Sequence, residues 1–75
     1  MDNLQLGLAI KSAREAAKLT QDDLSDRAGL AYSTLAKIEQ GAIKNPSFST
    51  ILALSRALNL SIEQLLGAKP ANVRV

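Results

Sequence analysis

Residues 19–41, in the middle of this chain, contain two sequence patterns that are typical of the start of a helix. Gly29 lies between the two patterns. In the first pattern, Thr20 offers a hydroxyl at an N-cap position and Asp23, three residues later, completes a capping box. The helix that follows should begin near Gln21 and be short, because Gly29 can end it in a left-handed conformation without steric cost. This stretch therefore predicts two short helices joined by a sharp turn at Gly29.

The second helix of the pair is predicted to begin at Tyr32, because Leu30 and Leu35 have the spacing of a hydrophobic staple across its start. Ala31 then takes the N-cap position, for which alanine is a poor residue. Leu35 and Ile38, three residues apart, form the inward side of this helix. The positions left facing outward are Tyr32, Ser33, Ala36 and Lys37.

Three further helices are predicted around this pair. The first covers residues 3–18, the fourth follows a cap at Ser47, and a capping box over residues 61–64 begins a very short fifth helix. Apolar residues at helical spacing predict the buried stripes of the first and fourth helices: Leu6, Ile10, Ala13, Ala17, Phe48, Ile51, Leu54 and Leu58. The sequence therefore predicts an all-α, compact five-helix bundle, with one domain over residues 1–67 and a flexible C-terminal tail over residues 68–75.

The composition of the 75-residue chain excludes several chemistries. It contains no Cys and no His, so structural zinc, haem ligation by His, thiol chemistry and His-based acid–base catalysis are absent. Asp22 and Asp23 are adjacent and would point about 100° apart on a helix, which favours a capping role over a metal cluster. We therefore expect no enzyme activity, no cofactor and no metal site.

Only two aromatic residues, Tyr32 and Phe48, are present, too few for the stacking platforms that bind single-stranded nucleic acids, so duplex recognition remains possible. The net charge of +2 is only weak evidence that the chain binds nucleic acid, so that prediction must rest on where the individual charges lie. No apolar run is long enough to span a membrane, and the N-terminus lacks a signal-peptide pattern. We expect a cytoplasmic protein with no membrane partner.

The segment LTQDDLSDRAGLAYSTLAKIEQG, continued by NPSFSTILALSRALNLSIEQLL, resembles the helix-turn-helix family of phage lambda-type repressors and Cro. The resemblance covers about residues 6–66 and implies a lambda repressor-like DNA-binding domain. Its implied function is a sequence-specific double-stranded DNA-binding transcriptional regulator, a repressor, that reads the major groove with the helix from about Tyr32 to Gln40. The residues implied to read bases are Tyr32, Ser33 and Lys37, with Ala31 and Ala36 close to the groove. For Tyr32 the alternative is that its ring lies over the helix end.

The resemblance also implies supporting contacts. Phosphates would be bound by Gln21, Lys44, Asn45 and Lys11. An ion pair between Arg14 and Glu39 would join the first helix to the end of the reading helix. The family forms homodimers through its C-terminal helices, and the corresponding residues are Leu58, Asn59, Leu60, Ile62, Leu65 and Leu66.

Two departures from the family pattern weaken the expected contacts. Many members carry Ser or Thr at the position of Ala31, and the lost cap costs about 1 kcal/mol. The outward positions also lack arginine, so strong bidentate reading of guanine is not evident. A second interpretation stays open, in which the chain is an antitoxin or an accessory module that uses the same fold to bind a protein partner, such as a toxin or another regulator.

Overall fold

The computed structural model describes residues 3–43 and 45–65, with side chains described from Gln5 onward. These residues form five helices and no strand. The helices are α1 (Asn3–Ala16), α2 (Gln21–Ala28), α3 (Tyr32–Glu39), α4 (Phe48–Leu58) and α5 (Ile62–Leu65). The predicted all-α five-helix architecture is confirmed. The proposed domain end at Gly67 and the tail over 68–75 lie outside the described residues.

The first helix is two residues shorter than predicted, because the chain turns sharply after Ala16. Lys18 adopts a left-handed conformation with φ 60°. Its N–H donates to Glu15 O at 3.0 Å, and the N–H of Leu19 donates to Arg14 O at 3.0 Å, so the last carbonyls of α1 are satisfied by the turn itself.

The predicted capping box at the start of α2 is confirmed. The N–H of Asp23 donates to Thr20 Oγ1 at 3.0 Å, and the N–H of Thr20 donates to Asp23 Oδ2 at 3.0 Å. The hydrogen bond that the backbone N–H of Thr20 donates to the carboxylate is the main reason that the pKa of Asp23 lies below its ordinary value. The carboxylate half of the capping box therefore contributes fully above the ordinary carboxyl pKa and loses its contribution as the pH falls through the lowered value.

A single apolar core joins all five helices. Side chains with almost no exposed surface come from each of them and are Ile10, Leu24, Leu35, Ile38, Leu54 and Leu65. Helix α3 packs against α1 and α2, α4 packs against α2, and α5 packs against α1 and α4. Within the described part of the chain, the core thus packs against one side of α3 and leaves its opposite side exposed. Every described helix is too short or too polar to cross a lipid bilayer.

The prediction that Phe48 belongs to the buried stripe of α4 is wrong, since its side chain is 69% exposed. Ile51, Leu54 and Leu58 of the same stripe are buried. Phe48 is the first residue of α4, and helical side chains lean toward the N-terminus. Its ring therefore extends past the helix end, where no preceding turn lies beneath it. Ala17 is exposed for a related reason, because it follows the end of α1.

Candidate nucleic-acid interface

The turn between α2 and α3 is closed by backbone hydrogen bonds around Gly29. Gly29 has φ 70°, its N–H donates to Asp26 O at 3.2 Å, and the N–H of Leu30 donates to Ser25 O at 2.9 Å. Ser25 is buried and its Oγ donates to Asp22 O at 2.9 Å, so its hydroxyl does not compete with the turn. This geometry sets the direction in which α3 leaves α2.

The outward side of α3 carries the predicted base-reading residues. Tyr32 is 52% exposed, and Ser33 and Lys37 are also exposed. Ala36 is half-buried, and Ala31 is exposed just before the helix. The structure thus places four of these residues on α3 and Ala31 immediately before it, on a side of the helix that no other described helix covers. Their contact with bases stays a prediction.

An ion pair joins α1 to the C-terminal end of α3. Arg14 Nε donates to Glu39 Oε2 at 2.7 Å, and Arg14 Nη2 donates to Glu39 Oε1 at 3.1 Å. Both side chains are largely buried, with 11% of Arg14 and 4% of Glu39 exposed. The hydrogen bond to Glu39 raises the pKa of Arg14 above its ordinary value. Arg14 Nη1 also donates to Leu19 O at 2.9 Å, so the same guanidinium holds the loop before α2.

Gln21 extends this network to the start of α3. Its Nε2 donates to Glu39 Oε1 at 3.0 Å, and its Oε1 accepts a hydrogen bond from the Tyr32 hydroxyl at 2.9 Å. The side chain of Gln21 therefore connects the last residue of α3 to the first. The second hydrogen on Nε2 and the free backbone N–H groups at the start of α2 are the donors that this residue can offer to a phosphate.

The other predicted phosphate contacts are dispersed. Lys11 is exposed on α1 and Asn45 is exposed in the loop before α4. Lys44 lies outside the described residues. Their phosphate contacts stay predictions.

The predicted dimerisation residues divide into two groups. Leu58 and Leu65 are 8% and 1% exposed and belong to the core of the chain itself, so they offer little surface to a partner. Asn59 is exposed and ends α4 with φ 58°, while Leu60 and Ile62 are half-buried against the core. Leu66 lies outside the described residues.

Among the residues that the structure describes, no group of three or more Asp or Glu side chains could hold a metal ion. Asp22 and Asp23 lie in the first turn of α2, and the carboxylate of Asp23 is used by the cap. Negative charge at this end of a helix is favourable without a metal.

Gly7 is a positioning residue that was not singled out from the sequence. It is buried in α1, where a methyl group on its Cα would lie 2.5 Å from Ile38 O and 2.6 Å from Glu39 O. Only glycine lets α1 approach the end of α3 this closely. The available signal was an isolated glycine inside an amphipathic helix, which commonly has a packing reason.

The start of α3 has no side-chain cap, as the sequence predicted for Ala31. Ala31 has φ −66° and ψ 141°, a conformation from which a serine hydroxyl could accept from the N–H of Thr34. We expect Ala31→Ser to raise the free energy of unfolding by about 1 kcal/mol, measured by urea titration. Ala42→Ser, in the loop after α3, is the control and should change it by less than about 0.5 kcal/mol. Equal effects of the two substitutions would contradict the capping explanation.

Comparison with known proteins agrees with this geometry. The sequence model of the helix-turn-helix family matches residues 10–65. The immunity repressor protein of Bacillus phage phi105 is 39% identical over 64 residues, which are 85% of this chain and 44% of that protein. Two further curated relatives are matched over 26% and 45% of their lengths, so this chain spans less than half of each of the three.

Two solved structures of the regulator SinR are similar to the chain. The crystal structure of SinR, the master regulator for biofilm formation, in complex with DNA has a TM-score of 0.78 and 33% identity, covering 81% of this chain and 97% of that one. The SinR–SinI protein complex gives a TM-score of 0.80 and 30% identity, covering 92% of this chain and 67% of that one.

Proposed function

This chain belongs to the helix-turn-helix family, and from that premise we propose that it is a sequence-specific double-stranded DNA-binding transcriptional regulator, a repressor, and not an enzyme. The observation that carries the proposal is the exposed side of α3, against which none of the other described helices packs, while its opposite side is fixed by the core and by the Arg14–Glu39 pair. In helix-turn-helix proteins the second helix of the motif lies in the major groove with its N-terminal residues on the base edges, and α3 has that place in this chain. The similarity to SinR, which is solved with DNA, supports the same function.

The chemistry of the outward side chains suits base reading. Lys37 carries only donors and can serve guanine O6 and N7, whereas the Ser33 hydroxyl can donate or accept. Gln21, Lys11, Lys44 and Asn45 would position the domain by contacts to phosphates, which carry no sequence information. One domain supplies few contacts, so we propose a homodimer that reads two related half-sites about one helical turn apart.

Lys37→Ala should change which DNA sequences are bound, because it removes the donor proposed to contact guanine. Lys44→Ala should instead weaken binding to all sequences alike and reduce the slope of log affinity against log salt by about 1, because one phosphate contact is lost. Selection of bound duplexes from a randomised pool measures the preference, and titrations at several salt concentrations measure the slope.

Arg56→Ala is the control, since it removes an exposed positive charge from the last turn of α4. It should leave the preferred sequence unchanged. Binding that is insensitive to both lysine substitutions, or an absence of duplex binding at low salt, would contradict the proposed function. Sedimentation of the chain with one and two half-sites measures the homodimer.

A second candidate function is a protein-binding module, such as an antitoxin or an accessory subunit. The similarity to SinR in the SinR–SinI complex favours it, and Leu8 and Phe48 are large apolar side chains left 53% and 69% exposed. The two functions can coexist. A chain that acts only through a protein partner would show no preference among duplexes in the selection experiment above.

A further inference from the structure

We infer that Tyr32 presents its hydroxyl oxygen to DNA as a hydrogen-bond acceptor only, and so selects a base with an exocyclic amino group, adenine or cytosine. This inference rests on the proposed function, which brings α3 to the base edges. It follows from the direction in which hydrogens point along the connected side chains of Arg14, Glu39, Gln21 and Tyr32.

The direction is set at the buried end of the network. Arg14 has donors and no acceptor, and it directs Nε and Nη2 at the two carboxylate oxygens of Glu39. The ionised carboxylate of Glu39 can only accept. With 4% of its side chain exposed, Glu39 has almost no contact with water that could reverse this arrangement.

The orientation of the Gln21 amide follows from the carboxylate. An amide has one donating end and one accepting end, and only the Nε2 end is attracted to Glu39 Oε1, 3.0 Å away. The Oε1 end of Gln21 is then fixed toward Tyr32, 2.9 Å from the phenol oxygen. Since Gln21 Oε1 can only accept, the single hydrogen of the Tyr32 hydroxyl must be donated to it.

A phenol whose hydrogen is committed has only lone pairs left for another partner. In the major groove, the groups able to donate to it are the N6 amino group of adenine and the N4 amino group of cytosine. Guanine O6 and N7, thymine O4 and phosphate oxygens only accept, so each would face the Tyr32 oxygen without a hydrogen between them. Tyr32 thereby complements Lys37, which can only donate.

The size of the preference is limited by the exposure of the Tyr32–Gln21 bond. Turning the hydroxyl toward an acceptor on DNA breaks that one surface hydrogen bond. A neutral hydrogen bond of this kind corresponds to a discrimination of about three- to tenfold between amino and keto bases.

The test compares the wild-type chain with Tyr32→Phe and Gln21→Met, after thermal unfolding has shown that all three are folded. Selection from randomised duplexes identifies the position whose preference depends on Tyr32. At that position the amino group is then replaced by hydrogen. We expect this replacement to weaken wild-type binding about three- to tenfold more than it weakens Tyr32→Phe.

Gln21→Met removes the acceptor while Glu39 keeps both hydrogen bonds to Arg14. The released hydroxyl can then donate, so the preference for an amino base at this position should relax to include guanine and thymine. The inference is overturned if Tyr32→Phe has the same base preferences as the wild type, or if the preference that depends on Tyr32 is for a keto base. Either result leaves the proposed function standing. A wild-type chain that prefers no base at any position would contradict both the inference and the proposed function.

Discussion

Replacing Glu39 by glutamine should lower the free energy of unfolding by about 3 kcal/mol, because it leaves the guanidinium of Arg14 largely buried without its counter-charge. Only 11% of the Arg14 side chain is exposed, so water replaces the lost partner poorly. The new amide would also direct hydrogens at donors of Arg14 or Gln21. Urea titration of the isolated chain measures the loss.

Glu15→Gln is the matched control for this prediction. Glu15 is exposed on the same helix as Arg14. Its negative charge favours the charged form of Arg14 only through electrostatic attraction at a distance. Removing this charge should cost less than about 1 kcal/mol, as for other exposed pairs. The double variant Arg14→Met with Glu39→Met should lose less stability than the sum of the two single variants, because each single variant leaves one buried charge unpaired and the double variant leaves none. Additive losses would show that the pair is not coupled.

The parts of the fold that sequence reasoning predicted are those encoded within a few residues. The capping boxes at Thr20 and Ser61 each join residues three apart and are present with the predicted partners. The predicted cap at Ser47 is also present, where its hydroxyl accepts from the N–H of Thr50. The absence of a side-chain cap at Ala31 was likewise predicted from neighbouring residues alone. Helices α2, α3 and α4 therefore begin at the predicted residues.

The parts that were missed depend on where a residue lies along an element or on contacts between elements. Helical periodicity assigns Phe48 to the inner face of α4, yet says nothing about its place at the open end of the helix. The hydrogen bond between Tyr32 and Gln21 joins residues eleven apart, and its direction is fixed because the other end of the Gln21 amide donates to Glu39. The sequence alone does not bring these three residues together. The Arg14–Glu39 pair was predicted, but from the family resemblance and not from the spacing of the two residues.

Gly7→Ala is expected to lower the free energy of unfolding by about 2 kcal/mol. Overpacking a close contact costs about 1 to 3 kcal/mol, and the upper end of that range applies here because the neighbours of the new methyl group are backbone oxygens of Ile38 and Glu39, which cannot rotate away. The better helix-forming tendency of alanine returns only about 0.5 to 1 kcal/mol. Separation of α1 from α3 would also lengthen the Arg14–Glu39 bonds.

Ser12→Ala separates the overpacking from the helix-forming tendency of alanine. Ser12 is exposed in the same helix, so this substitution adds the helix-forming tendency without the close contact to α3. It should raise stability by about 0.5 kcal/mol. At temperatures where Gly7→Ala is still folded, its binding to a selected duplex should fall more than its binding to random DNA, since base contacts need the position of α3 and phosphate contacts tolerate its shift. An equal loss on both duplexes would mean that Gly7 supports the fold without positioning α3.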